Sequence, residues 1–297
     1  MPIGNLEREF DNIVANISEF EKIDQSELIL VIDSDEHPKA SLLSEMYSEN
    51  QCVIVLQGCY GNPGDSRNFG KEHSNGEWIS FIDSDDVIDF RNYYQLVVEG
   101  TLAGAEIIFG RYREVNEDGI VSDPQESISH QNIAKSIARN PGIWRLSFKR
   151  NLVDKSNFPG LRMAEDQIFL ARVRFWERNI WISHILVYTY RRNISGQLTR
   201  SIEAISDLLR AQEITLGLYL NEQDKSSGSQ ILAIMVVNQL ITSLKYLGLQ
   251  GLVPLRKIYK TEIGLVRALR ITARLSWVIL GEILHKTRKM KKVSRSI

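Results

Sequence analysis

A chain of 297 residues, 43% hydrophobic and 25% charged, has room for one large domain or one domain plus an appendage, and its composition excludes disordered and fibrous classes. The formal net charge of -1 conceals an asymmetry: residues 1–244 hold 23 Lys/Arg against 35 Asp/Glu, whereas from Lys245 onward 13 basic residues face 2 acids, Glu262 and Glu282. Two cysteines, Cys52 and Cys59, exclude a disulfide framework and a cysteine zinc site, which suits a reducing cytosol.

Leu6, Phe10, Ile13, Val14, Ile17 and Phe20 recur at helical spacing, so the chain opens on an amphipathic helix. Met1 to Phe10 lack the layout of a signal peptide. A strand is expected over Glu27–Ile32, a helix around Ser41–Tyr47 and a second strand over Cys52–Leu56. The turn-rich loop Gly58–Asp65 leads into a helix over Ser66–Ser74. Gly76–Ile82 reads as a strand, Phe90–Leu102 as a helix and Ala105–Phe109 as another strand. This alternation predicts a mainly parallel sheet flanked by helices.

Beyond Gly110 the pattern changes. Asn116-Glu117-Asp118-Gly119 predicts a hairpin, Ile133–Ala138 a helix and Gly142–Phe148 an extended segment. A helix runs from Met163 to Trp176, and Ile180–Tyr190 forms one or two strands. Ser226–Ser229 reads as a linker, and every pattern after Ile202 is helical. The expected division is therefore 1–201 and a helical, basic 202–297. The longest apolar run, Ile231 to Leu244, is interrupted by Asn238 and Gln239. It falls short of the roughly 20 residues that span a bilayer, so no crossing segment is expected.

Chemistry concentrates where the Gly76–Ile82 strand runs into Asp83-Ser84-Asp85-Asp86. Three carboxylates within four residues repel one another unless a positive charge sits among them. A hard divalent cation with oxygen ligands, accompanied by a diphosphate, satisfies that need at the C-terminal end of a strand. An Asp-rich turn or helix cap is the plainer alternative.

Four features follow in order: a strand ending in Asp33, a Gly-rich loop leading to Asp65-Ser66-Arg67-Asn68-Phe69-Gly70, the strand into Asp83-Ser84-Asp85-Asp86, and Glu165-Asp166 opening a helix. Together they resemble the inverting family 2 glycosyltransferases of the GT-A fold, over about Asn5 to Ser201. The resemblance implies Mn²⁺ or Mg²⁺ held by Asp85 foremost, with Asp83 and Asp86, against the diphosphate of a nucleotide sugar. It implies that Asp33 contacts the nucleoside, with Asp35 its substitute, and that Arg67 meets a base carbonyl or phosphate. Asp166 would be the general base and Glu165 an orienting or capping acid. Arg191 or Arg192 would neutralise the leaving group, and a UDP-sugar is the favoured donor. The plainer readings are a surface ion pair of Arg67 with Asp65 or Glu72, and simple helix-start acids at Glu165-Asp166. Trp144, Lys149 and Arg150 are candidates for the acceptor side, with Trp144 equally suited to the core. No histidine pair has ligand spacing.

The family's opening strand, ending in Pro-x-Tyr/Phe-Asn, is not apparent before Asn5. The first strand is therefore expected to be missing, or its slot to be filled by a longer start or by another segment. At the other end, Lys260, Arg267, Arg270 and Arg274 stripe a helix opposite Leu265, Leu269, Ile279 and Ile283, with Trp277 between, ahead of a polybasic terminus. Such a helix suits an anionic membrane surface, or alternatively docks on the body with a solvated basic face. Nucleic acid is not expected as a partner. The sequence thus predicts a cytoplasmic, metal-dependent transferase, peripheral on the inner face of the membrane, acting on a saccharide or lipid-linked acceptor. A degenerate GT-A domain serving as a non-catalytic scaffold is the alternative. A sugar nucleotidyltransferase is disfavoured, because no Gly-rich, Lys/Arg-bearing loop lies near the start.

Overall fold

The computed structural model describes residues 1–34, 37–116, 119–122, 130–192, 202–222, 226–261 and 271–282. The chain divides into two compact units, Met1–Ala204 and Ile205–Ile297.

In the first unit, α1 (Leu6–Phe20) buries Leu6, Ile13, Ile17 and Phe20 on one face, and Asn5 caps it by accepting the Arg8 N–H at 3.1 Å. Three parallel strands follow one another in space: β1 (Pro2–Ile3), β2 (Leu28–Asp33) and β3 (Val53–Gly58). β2 is buried along Leu28–Ile32, as a strand covered on both faces must be. β1 corrects the expectation of a missing strand. Pro2 and Ile3 pair with Val31 and Ile32, the Val31 N–H donates to the Met1 carbonyl at 2.9 Å, and the Met1 amine donates to the Ile29 carbonyl at 2.9 Å. Two residues, one a proline, show no alternation and so escape a periodicity reading. A cavity of about 790 Å³ lies alongside, lined by Met1, Phe20, Ile29, Val31, Ile79 and Tyr93.

A second sheet carries β4 (Trp78–Ser80), β5 (Val87–Ile88), β6 (Ile107–Val115), β7 (Val121–Ser122), β8 (Leu146–Lys149) and β9 (Ile180–Arg191) in the order β4-β8-β6-β9-β5, with β7 paired to β6. Only β6–β9 is parallel there; the other pairs are antiparallel. The architecture is α/β, but mixed rather than mainly parallel. Antiparallel neighbours need no helical crossover, and after Gly110 a hairpin joins β6 to β7 while β8 returns antiparallel beside β6. The hairpin lies at Asn116 as expected; Glu117 and Asp118 fall outside the described residues. β6 and β9 slip register around Gly110, where an added Cβ would come 2.7 Å from Val187 Cγ2. Glycine suits such a bulge because a neighbouring side chain occupies that space.

Helices α2 (Pro38–Met46), α3 (Pro63–Glu72), α4 (Phe90–Leu102), α5 (Ile133–Arg139), α6 (Arg150–Val153) and α7 (Glu165–Val173) complete the unit. Two expected segments differ. Ile143–Arg145 is a 3₁₀ turn ahead of β8, and the helix from Met163 is shortened to α7 because Arg174 adopts a φ of +54°. An aromatic cluster of Phe81, Phe148, Phe158 and Phe169 packs beneath the ends of β4 and α7.

In the second unit, α8 (Ile202–Asn221) and α9 (Ser227–Leu247) share buried polar contacts: Gln239 Nε2 donates to Thr215 Oγ1 at 3.0 Å and the Ser243 hydroxyl to Gln212 Oε1 at 3.4 Å. Ser226–Ser229 is not a linker. Ser226 is the N-cap of α9, accepting the Ser229 N–H at 2.9 Å, and Ser227 begins the helix. Ser-rich stretches read as flexible, yet serine is equally a preferred cap. The helical run Ser227–Lys257 is long and apolar enough to cross a membrane by length and composition, contrary to the sequence reading, but 56% of its most apolar window is buried inside the protein. Asn238 and Gln239 broke the run in sequence; in the helix Gln239 faces α8.

α10 spans Val253–Thr261, and residues 271–282 are helical with Ile271, Leu275 and Glu282 buried. Trp277 is 76% exposed, while the Arg274 guanidinium lies 5.8 Å from the Tyr219 ring centroid rather than on a purely solvated stripe. Arg267, Arg270 and residues 283–297, and with them the polybasic terminus, lie outside the described residues.

Candidate active site

The acid loop leaves β4 at Ser80 and re-enters a strand at Val87, and between them Asp83, Asp85 and Asp86 take three different environments. Asp83 is bound to Arg67, whose Nη2 donates to its Oδ1 at 2.8 Å, and its own N–H donates to the Tyr188 hydroxyl at 3.1 Å. Asp85 keeps a quarter of its side chain exposed, with Arg8 Nη2 at 3.8 Å. Burial and the charges of Asp83 and Glu9 push its carboxyl up to about 6. Asp86 is fully buried and accepts the Arg191 N–H at 2.7 Å. Burial and its two neighbouring acids raise it to about 8.

The hard oxygens of these acids fit a divalent cation such as Mn²⁺ or Mg²⁺, which would also relieve the repulsion that raises them. Among the described residues no group of three or more His, Cys, Asp or Glu side chains converges as a ready metal cage. A cation there would have to be held by one or two carboxylates and completed by phosphate oxygens. Asp85 and Asp83 suit that part, and Asp86 is the buried support behind them.

Arg67 is where the structure departs most from expectation. Its side chain is only 7% exposed, and its partners are neither Asp65 nor Glu72. Nη1 donates to Glu165 Oε1 at 2.6 Å while Nη2 holds Asp83, so one guanidinium locks the acid loop to the start of α7. Its planar fork suits two carboxylates at once. The next residue reinforces the link: Asn68 Nδ2 donates to the Phe158 carbonyl at 3.0 Å, and its Oδ1 accepts the Phe158 N–H at 2.9 Å. Gly64 allows α3 to close on this segment, since a Cβ there would sit 2.2 Å from the Pro159 carbonyl oxygen. Glu165 therefore orients Arg67, beyond its place at a helix start.

Asp166 follows on the first turn of α7, after Ala164 at a φ of +64°. A non-glycine residue there costs on the order of 1–2 kcal/mol. The Asp166 Oδ1 accepts the Gln167 N–H at 2.7 Å. Burial and the adjacent Glu165 charge push its carboxyl up to about 8, with Arg67 opposing. Once its own proton has left, a carboxylate of that basicity can take a proton from a hydroxyl.

Asp33 ends β2 and holds the Gly58–Asp65 loop, its Oδ1 accepting the Tyr60 and Gly61 N–H groups at 2.7 and 2.9 Å. Asp35 lies outside the described residues. Arg192 forms an exposed ion pair with Glu114 at 3.2 Å, and Arg191 is fixed to the acid loop through its backbone. Ser195 and Gly196, which follow them, lie outside the described residues. Trp144 is in the core, stacked on Tyr188 and Tyr190 with centroids at 4.6 and 5.5 Å. Arg150 binds the Gly76 carbonyl and the Ser74 hydroxyl, and Lys149 lies over Trp78 at 5.7 Å. Both therefore brace β4, and the acceptor assignment of these three residues is not supported by their positions.

Sequence reasoning missed the polar face of α1. Asn12 Nδ2 donates to the carbonyls of Ser84 and Asp86 at 2.7 and 2.8 Å, and Glu9 accepts the Ser84 hydroxyl at 2.6 Å. The signal available was Glu9, Asn12 and Asn16 interrupting an otherwise apolar helical stripe.

The end of the parallel strand β2 and the loop that leaves β4 thus both carry acids, and a buried arginine joins that loop to a helix-start carboxylate pair within an α/β domain. Residues 4–168 match the family described as Glycosyl transferase family 2. The chain belongs to that family. The glycosyltransferase GlyG of Streptococcus pneumoniae is 24% identical over 195 residues, covering 59% of this chain and 64% of that protein. The poly(ribitol-phosphate) beta-glucosyltransferase of Bacillus spizizenii is 26% identical over 225 residues, covering 66% of this chain and 34% of that protein. The chain thus spans less than two thirds of the length of these curated relatives. Among solved structures, Staphylococcus aureus TarS 1-349 in complex with UDP-GlcNAc superposes with a TM-score of 0.67 at 18% identity, covering 94% of this chain and 80% of that one. The mannosyltransferase PcManGT of Pyrobaculum calidifontis, in complex with GDP-Man and Mn²⁺, gives 0.55 at 12% identity, covering 97% and 82%. Both establish the GT-A fold.

Proposed function

We propose that this chain transfers a sugar, with inversion, from a nucleotide-sugar donor to a saccharide or lipid-linked acceptor in surface-polysaccharide assembly. The observation carrying this reading is the Asp83–Arg67–Glu165 bridge, which sets an acid-rich loop beside a base of raised pKa. A UDP-sugar is the favoured donor, supported by the UDP-GlcNAc complex of TarS.

Asp85 and Asp83 would hold a divalent cation, Mn²⁺ or Mg²⁺, with Asp86 supporting the loop. When bound, the cation supplies Lewis-acid stabilisation of the departing diphosphate. Asp33, with Oδ1 committed to the loop, offers Oδ2 to uracil or ribose. Arg67 acts by fixing Asp83 and Glu165 rather than by touching the base. Arg191, anchored at its backbone by Asp86, would bring its guanidinium to the leaving phosphate. Arg192, paired with Glu114, reaches it only by leaving that partner. Asp166 takes the proton of the acceptor hydroxyl as its oxygen attacks the anomeric carbon opposite the leaving group. One displacement needs no covalent enzyme intermediate.

Release of nucleoside diphosphate from UDP-, GDP- and dTDP-sugars with Mn²⁺ tests the reading. Release from one donor class is expected, and no release from any donor with poly(ribitol phosphate) or membrane extract as acceptor would favour the scaffold alternative. The basic C-terminal stretch and the exposed Trp277 support a peripheral site on the cytoplasmic face of an anionic membrane. Salt-sensitive sedimentation with anionic vesicles, lost on deleting residues 286–297, is expected. Unchanged sedimentation after the deletion would refute that role.

A further inference from the structure

We propose that α1 is a positioning element for the acid loop and that Asn12 is its principal residue, an inference resting on the donor-site reading above. Residues 81–86 form neither helix nor strand, so no strand ladder fixes the backbone on which the acids sit. Side chains of α1 do so. Both Asn12 Nδ2 hydrogens are committed, one to the Ser84 carbonyl and one to the Asp86 carbonyl, on either side of Asp85. One turn further, Asn16 Nδ2 donates to the Asp86 carbonyl at 3.0 Å and its Oδ1 accepts the Ile88 N–H at 3.4 Å. One turn earlier, Glu9 Oε2 accepts the Ser84 hydroxyl, which also reaches the Pro2 carbonyl at 3.0 Å.

Glu9, Asn12 and Asn16 are spaced so that they share one helix face. Glu9 and Asn16 are 5% and 4% exposed, beside the apolar Ile13 and Ile17. Burying amides and carboxylates costs free energy unless each finds a partner, and apolar residues would pack α1 at least as well. Here the partners are in the acid loop, apart from Ile88 just beyond it in β5 and Arg8, which pairs with Glu9. With the carbonyls flanking it held on the helix, Asp85 keeps its carboxylate partly exposed and near Arg8. The geometry points to a clamp that sets the direction of Asp85 before any cation arrives.

Asn12→Ala and Asn12→Gln, with the unaltered chain, test this by titration with Mn²⁺ and UDP and by donor kinetics. Groups that support a metal ligand typically change affinity or activity about 10–100-fold when removed. A rise of that size in the Mn²⁺–UDP Kd is expected for Asn12→Ala, with donor KM raised more than kcat is lowered. Asn12→Gln, which keeps the amide, is expected to recover part of the loss. A variant that melts earlier but binds Mn²⁺–UDP as the unaltered chain does would overturn the positioning role and leave the donor site standing. Failure of the unaltered chain itself to bind would overturn both. Should Asn12→Ala not fold, Asn16→Ser carries the same expectation and the same contradiction.

Discussion

Replacing Asp166 by Asn is expected to lower sugar transfer by about 10²–10⁴-fold, the usual worth of a positioned base, while leaving the nucleotide Kd within about twofold. The amide keeps the shape of the carboxyl and its acceptor for the Gln167 N–H, so the start of α7 should stand. The unaltered chain should show a matching pH profile. Burial and Glu165 hold the Asp166 proton up to about pH 8, and the base works only once that proton is gone. The rate therefore climbs with pH below about 8 and levels above it. A flat profile between pH 6 and 8, or an Asn variant keeping more than a tenth of the rate, would sink the assignment.

The second large effect is on stability. Arg67→Met is expected to destabilise the first unit by about 3–5 kcal/mol, because removing one member of a buried ion cluster strands its partners. Asp83 and Glu165, 27% and 9% exposed at the side chain, would face each other across the gap the guanidinium spans. Chemical denaturation at pH 7 reads this loss. Adding Glu165→Gln should return part of the stability, since one stranded charge is then removed. A loss below about 1 kcal/mol would show that the bridge is peripheral to the fold.

Much of this architecture is legible in the sequence because it depends on local pattern. α1 and α4 have the bounds their apolar spacing predicts, and β2, β3 and β4 lie within or one to two residues from the predicted spans. The acid loop was visible because three carboxylates in four residues are electrostatically costly wherever they fall. What was not legible depends on distance in the chain. Arg67 and Glu165 are 98 residues apart, and no local spacing distinguishes a buried bridge from a surface pair with Asp65 or Glu72. Trp144 was ambiguous for the same reason, since only the fold places it on Tyr188 and Tyr190. β1 is too short to show a period, and the turn to antiparallel pairing is set by which strands meet across the sheet, not by any one segment.

The first experiment is calorimetric titration of UDP into the unaltered chain and into Asp85→Ala, each with Mn²⁺ and with EDTA, because the proposed donor site depends on this one carboxylate. Binding by the unaltered chain only with Mn²⁺, and its loss in Asp85→Ala, is the expected result. Equal affinity in the two proteins, or binding indifferent to EDTA, would contradict it.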